Sequence, residues 1–399
     1  MAIITCIDDL RRLAVKRVPR MFYDYADSGS WTESTYRENE GDLASISLRQ
    51  RVAVDVSKRS LRAKMLGEDV AMPVALAPTG LTGMQHADGE ILAAQAAAEF
   101  GVPFTLSTMS ICSIEDVAEH SPRPFWFQLY VMRDRAFIKS LIERAKAAQC
   151  SALMLTLDLQ VLGQRHKDLK NGLSAPPKPT FRNLLNITTK PRWAFGMLRT
   201  RRHQFGNIVG HVGGVTDMSS LSAWTQQQFD PALSWKDVEW VKRVWGGKLI
   251  VKGIMDAEDA KQAVACGVDA LTVSNHGGRQ LDGAPSSISV LPHIVDAVGD
   301  KVEVWMDSGI RSGQDVFKAL AMGARGTLIG RAFLYGLGAA GKSGVAKCLD
   351  LIRNELDITM AMCGKTGIGE INSDVLASSH FGHRDSSASR VSVAAVSQG

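Results

Sequence analysis

The stretch SNHGGRQLDG (274–283) sets His276 three residues ahead of Arg279 inside a glycine-rich loop. An imidazole that titrates near neutral pH, beside a guanidinium fork, suits proton abstraction next to a carboxylate. A capped loop with a solvent-facing His and Arg is the competing reading of the same ten residues. Lys252 stands within the apolar run LIVKGI (249–254), on the parity that turns its ammonium into a barrel mouth, where a buried charge needs a partner. Three roles fit it: the Schiff-base lysine of an aldolase, a counter-charge for an anionic cofactor ring, or half of a structural ion pair. Further along, DSGIRSG (307–313) and IGRA (329–332) each join a glycine to an arginine. Gly309 and Gly330 would let backbone N–H groups approach an anion, and Arg311 and Arg331 would add charge-assisted bonds, which points to a phosphate-bearing ligand.

Something must bring these segments together, and the chain carries the pattern for it. Eight short apolar runs recur: PVALAP (73–78), PFTLST (103–108), FWFQLY (125–130), ALMLTLD (152–158), LIVKGI (249–254), ALTVSN (270–275), EVWMDSG (303–309) and GTLIGR (326–331). Helix-patterned stretches such as 89–101, 135–150, 256–267 and 312–323 separate them, several ending at Gly. Each run is apolar until its last residues and then turns reactive. Eight such units predict an α/β fold, a (β/α)8 TIM barrel, whose strand ends collect on one catalytic face. The barrel should begin near residue 73 within a single domain spanning 1–377. Ahead of it, IDDLRRLAVKR and MFYDYADSGS predict two helices ending at Gly29, followed by an extended stretch. The Ser-rich end, 378–399, predicts a disordered tail.

The 399 residues are 45% hydrophobic and 22% charged, a globular composition with a net charge of +5. Six scattered cysteines show no metal-ligand or disulfide spacing, so no metal is expected and a reducing compartment is. No signal peptide and no membrane-spanning run are expected. The long insertion after the fourth strand, about 165–235, is the oddity. Between Leu159 and Gly214 lie ten Lys or Arg and one acid, Asp168, so the chain's positive excess sits there. With Trp193 and Phe195 among them, residues 178–214 suggest an anionic membrane surface. An active-site lid is the plainer reading, and nucleic acid lacks any recognised motif.

Taken together, PRMFYDYADSG, LAPTGLTGM, TLSTMSICSIEDV, LTLDLQVLGQRHKDL, SNHGGRQLDG, DSGIRSGQDVFKALAMGA and IGRAFLYGLG resemble the FMN-dependent L-2-hydroxy acid dehydrogenase and oxidase family, from about Asp8 through the eighth strand. The wording is nearest its bacterial respiratory L-lactate and mandelate dehydrogenases. The resemblance implies FMN as cofactor and oxidation of an L-2-hydroxy acid to the 2-keto acid, L-lactate to pyruvate first and L-mandelate as the alternative. It implies His276 as the base, oriented by Asp158. Arg279 and Tyr25 would hold the substrate carboxylate, Tyr130 its hydroxyl, and Arg165 would be an auxiliary contact. Lys252 would face the flavin N1/C2 edge. Pro78, Thr79, Gly80, Ser107, Gln128, Thr156 and Ser274 would line the ring, Asp307 the ribityl chain, and Gly309, Arg311, Gly330 and Arg331 the phosphate. Ser308 and Gly80 replace residues more usual in the oxidases, which favours a dehydrogenase passing electrons to a quinone or other membrane acceptor over one using oxygen. A homotetramer, peripheral on the cytoplasmic face of the inner membrane, completes the expectation.

Overall fold

The computed structural model describes residues 3–173, 180–212, 224 and 228–378. The expected tail from 379 onward, and parts of the insertion including Lys178, lie outside the described residues. Eight parallel strands form one sheet: β1 (Val74–Leu76), β2 (Thr105–Ser107), β3 (Trp126–Tyr130), β4 (Ala152–Thr156), β5 (Leu249–Ile254), β6 (Ala270–Val273), β7 (Glu303–Met306) and β8 (Gly326–Ile329). β8 pairs with β1, and a parallel bridge from Leu76 to Phe104 closes the ring against β2. All eight predicted runs are strands, most of them trimmed at their reactive ends. Thr79, Asp158, His276 and Asp307 therefore stand in the loops just past the strands, and Arg331 opens the helix that follows the last one.

Alternation explains the barrel's two faces. One parity of the strands packs outward under the helices. The other fills the interior with Ala75, Trp126, Ala152, Met154, Ile250, Ala270, Trp305 and Leu328, all buried. Trp126 and Trp305 stack at 5.2 Å and close the barrel's centre. A hairpin (Ala63–Met65 with Glu68–Val70) plugs the bottom with Met65, Leu66 and Val70. The floor is thus sealed, and the same inward parity carried up the strands brings Gln128, Tyr130, Thr156 and Lys252 toward the open end. Outside, the helices are ordinary amphipathic ones. Arg135–Ala147 buries Phe137, Ile138, Leu141, Ile142 and Ala145, and Asp134 caps it by accepting the Phe137 N–H at 2.9 Å.

Two expectations need correction. The stretch after Gly29 is not extended throughout: it contains a helix, Ser34–Ser45, as well as the plugging hairpin. That helix buries Thr35, Asn39 and Leu43, a largely polar face that leaves no apolar periodicity. Asp282 holds its start by accepting from the Thr32 and Thr35 N–H groups and from the Thr32 and Ser34 hydroxyls. Burial raises the Asp282 carboxyl, but these bonds outweigh it and bring its pKa down to about 2. Asp282→Ala should cost about 1–2 kcal/mol of unfolding free energy in denaturant titration at pH 7. Because the folded pKa is depressed, that advantage is present above the ordinary carboxylate range and fades as pH falls toward 2.

Trp193 is the second correction. It is half-buried: its Nε1 donates to the Met84 carbonyl at 2.8 Å, and its ring stacks on Phe22 at 5.5 Å. The insertion's two middle helices, Phe181–Thr188 and Pro191–Arg199, are instead exposed at Phe181, Leu184, Leu185, Phe195 and Leu198. Past them the chain returns to the core at Phe205 and Ile208, and Asn207 accepts the Ile114 N–H at 2.9 Å.

Candidate active site

At the open end lies a cavity of about 460 Å³, lined by residues of the N-terminal extension, the insertion and the barrel loops. His276 has φ +56° and starts three successive left-handed residues with Gly277 (+67°) and Gly278 (+70°). That turn aims the imidazole back across the mouth. Its Nδ1 sits 3.0 and 3.2 Å from the two Asp158 oxygens, so Nδ1 carries the proton and Nε2 is the free base. Burial lowers the His276 pKa; Asp158 opposes this, Lys252 and Arg279 reinforce it, and the net position is below the ordinary imidazole value. Asp158 is pushed up by burial but held below the usual carboxylate range by His276 and Lys252. The pair is therefore a neutral base beside an anion that will stabilise the imidazolium once formed.

Arg279 makes no ion pair among the described residues. One nitrogen, Nη1, donates to the Tyr25 and Ser28 carbonyls, and the guanidinium lies 4.8 Å from the centre of the Tyr25 ring. Burial and the nearby Arg165 lower its pKa to about 10, which leaves it charged at neutral pH. A cavity-lining cation with no ion-pair partner of its own among the described residues calls for an anionic ligand. Arg165, whose guanidinium is 5.7 Å from the centre of the Tyr25 ring, is already paired with Asp168. Tyr130 lines the same cavity, with burial raising its phenol well above the usual value, so it remains a neutral hydrogen-bond group.

Lys252 is buried, with Nζ 3.2 Å from Asp307 Oδ2 and donating to Ser274 Oγ at 2.8 Å. An ammonium engaged in this way is a fixed positive charge, unlike the free amine that a Schiff base requires. The helix the sequence did not disclose supplies the back wall. Asn39 and Asn275 exchange amide bonds at 2.9 and 2.8 Å directly behind His276. Glu40 pairs with Arg311 at 2.9 Å, and Tyr36 lies under the Arg331 guanidinium at 4.5 Å. Glu90 was also missed. Its buried carboxylate accepts the Gly83 and Ile111 N–H groups, each at 2.9 Å, and so ties the loops after β1 and β2 together.

A family model described as FMN-dependent dehydrogenase matches residues 14–378 of this chain. The chain belongs to the FMN-dependent dehydrogenase family. It is 47% identical over 375 residues to an L-lactate dehydrogenase of Ectopseudomonas mendocina, covering 94% of this chain and 99% of that one. To the L-lactate dehydrogenase of Xanthomonas campestris pv. campestris it is 48% identical, covering 94% and 97%. Among solved structures it superposes on a monotopic membrane protein, (S)-mandelate dehydrogenase, with a TM-score of 0.89, 37% identity and coverage of 94% and 99%.

FMN is the cofactor of this FMN-dependent dehydrogenase family, and the cavity fits it. Gln128 Nε2 is a buried donor without a partner among the described residues, although its Oε1 accepts from Ser107 Oγ at 3.1 Å. A side chain on Gly330 would meet nothing closer than 3.8 Å, so its backbone faces open space. It stands at the N-terminus of helix Arg331–Ala340, whose first turn has no side-chain cap and no acid. Pro78, Thr79, Gly80, Lys252, Asp307, Gly309, Arg311, Gly330 and Arg331 line the cavity, as do Tyr25, Tyr130, Arg165, His276 and Arg279. Ser107, Gln128, Thr156 and Ser274, at the adjoining strand ends, and Asp158, which bonds His276, are not among the lining residues.

Two of the phosphate assignments take a different form. A Cβ on Gly309 would lie 2.4 Å from the Asn39 carbonyl, so only glycine packs against the extension there, while its backbone still lines the cavity. Arg331 donates from Nε, Nη1 and Nη2 to the carbonyls of Ala26, Gly277 and Ser28. Its side chain fastens the extension to the catalytic loop, leaving chiefly its backbone N–H for a phosphate.

Proposed function

We propose that the chain oxidises L-lactate to pyruvate with FMN and passes the electrons to a quinone or similar membrane acceptor. The carrying observation is that Arg279, without an ion-pair partner among the described residues, lines one cavity with His276, which Asp158 orients: an anion site next to a base. In this reading Arg279 and Tyr25 hold the carboxylate and Tyr130 bonds the hydroxyl. His276 Nε2 takes a proton from the substrate, and Asp158 stabilises the resulting imidazolium. Bound FMN supplies the two-electron acceptor for the substrate. Lys252 places positive charge where the ring's N1/C2 edge would lie, Thr79, Gly80, Gln128 and Thr156 would pack around the ring, and Arg311 with the Gly330–Arg331 backbone would hold the phosphate.

Lactate is supported by the names of relatives at 47–48% identity. Mandelate is the second reading, supported by the structural neighbour and by an apolar lining at Leu81, Met109, Leu159, Leu162 and Phe229. Dye-linked turnover separates them: kcat/KM for L-lactate should exceed that for L-mandelate by about tenfold or more. The reverse order would assign the enzyme to mandelate.

Among the described residues no helix is long and apolar enough to cross a membrane. Peripheral attachment to the cytoplasmic face of the inner membrane belongs to the reading, supported by Phe181 and Leu198, 81% and 83% exposed, among Arg182, Arg192 and Arg199. The membrane-associated neighbour supports it too. Leu185→Glu with Leu198→Glu should weaken binding to anionic vesicles roughly 10²-fold while dye-linked activity stays. Unchanged partitioning would remove the patch from the account. A homotetramer rests on the resemblance alone, and sedimentation velocity tests it.

A further inference from the structure

Ser308 holds φ +75°, a conformation that glycine adopts freely and serine rarely does, directly beside Gly309 at +92°. An L-residue kept in that region implies that its side chain has work there. The hydroxyl has two partners. It donates to Asp307 Oδ1 at 2.8 Å and accepts the Gly277 N–H at 2.9 Å.

Following those bonds outward gives a closed circuit. Asp307 Oδ2 lies 3.2 Å from Lys252 Nζ, which donates to Ser274 Oγ at 2.8 Å. Ser274 Oγ also accepts the His276 N–H at 3.1 Å, and His276 is covalently joined to Gly277, where the circuit closes on Ser308. The ring contains the fixed cation of the cavity and the backbone of the base. It crosses three strand ends, those of β5, β6 and β7. Of its two arms, the Ser274 arm runs through the catalytic loop's own strand. The Ser308 arm joins the loop to the neighbouring strand's end.

We propose that Ser308 is a positioning residue that couples the Lys252–Asp307 pair to the His276 loop, fixing the cation and the base relative to each other. The inference rests on the reading of His276 as base. Without the hydroxyl, Asp307 loses a donor and draws more strongly on Lys252, while the Gly277 N–H loses its acceptor and the left-handed turn loosens. The consequence reaches His276 along with the other groups around the cavity mouth: Tyr130 from β3, Asp158 after β4, Arg165 from the insertion, Lys252 from β5, Arg279 on its own loop and Asp307 after β7. Of these, Lys252 is the one whose field Ser308 adjusts. Less positive charge felt from Lys252 leaves His276 easier to protonate.

Ser308→Gly is the informative variant, because glycine accepts the backbone conformation while the hydroxymethyl group, with both of its hydrogen bonds, is removed. In FMN-loaded full-length protein, its Tm should equal or exceed that of wild type, and the fluorescence-measured Kd for FMN should stay within about threefold. The rate of flavin reduction by L-lactate should fall about tenfold, with the loss in kcat rather than KM. The acid limb of its pH profile should move upward by about 0.5 unit. Ser308→Ala should reproduce the rate loss with a lower Tm. The inference is overturned if Ser308→Gly keeps the wild-type rate and pH profile, or if rate, Tm and FMN affinity fall together, which is what a purely structural residue would do. Wild-type protein whose FMN L-lactate does not reduce would instead overturn the reading on which it rests.

Discussion

His276→Gln should slow flavin reduction by L-lactate on the order of 10³-fold while the protein keeps its FMN. Glutamine has similar reach and retains a hydrogen bond to Asp158, but it cannot take a proton. Among the described residues His276 bonds Asp158 and, through its backbone N–H, Ser274 Oγ, and the substitution leaves the backbone bond in place. The wild-type pH dependence follows from the same geometry. The active form is the neutral imidazole, so kcat/KM should fall as pH drops through the His276 pKa. Burial, with Lys252 and Arg279 behind it, sets that pKa below the ordinary imidazole value despite Asp158. The enzyme should therefore hold its activity into mildly acidic buffer, and the variant should lack that limb altogether. Stopped-flow absorbance across pH measures both. Rapid reduction in the Gln variant would remove His276 from its assigned role.

Arg279→Met should lower kcat/KM by about 10²–10³-fold, equivalent to about 3–4 kcal/mol of transition-state binding. The large figure follows from what surrounds the guanidinium. It has no carboxylate partner among the described residues, and one nitrogen is spent on two carbonyls, so its remaining charge is available to the substrate. Arg165 cannot take over, because Asp168 already holds it. Arg279→Lys should recover only part of the loss, since a point charge cannot reproduce a two-pronged bond to a carboxylate. FMN content should be unchanged in both variants, which separates a substrate defect from an empty enzyme. Steady-state kinetics with a dye acceptor gives the answer, and a change below about threefold in the Met variant would refute the clamp.

The barrel was legible because each strand ends by exchanging apolar residues for reactive ones, a pattern imposed by a sealed floor and an open mouth. The parity of Lys252 against Ile250 was legible for the same reason. Helix Ser34–Ser45 was not: Asn39 and Thr35 face inward on it, and amide exchange with Asn275 and the carboxylate of Asp282 do the work that an apolar stripe would advertise. Glu90 left no trace because its partners are backbone N–H groups, which every residue has. Trp193 misled because helix Pro191–Arg199 is apolar on both sides. Met197 and Trp193, four residues apart, face the body of the protein, while Phe195 and Leu198 face away. Gly309 is expected to let an anion approach, and the structure adds a second demand for glycine there, the Asn39 carbonyl packed where a Cβ would be.

In the proposed function a hydroxy acid held at Arg279 would give its electrons to FMN in this cavity. The most direct measurement is the anaerobic visible spectrum of the purified, FMN-loaded protein before and after L-lactate, followed by a soluble quinone. Bleaching of the flavin absorption by lactate and its return with quinone is the expected result. A flavin spectrum that neither L-lactate nor L-mandelate alters, or a protein that stays colourless when FMN is supplied, would contradict it.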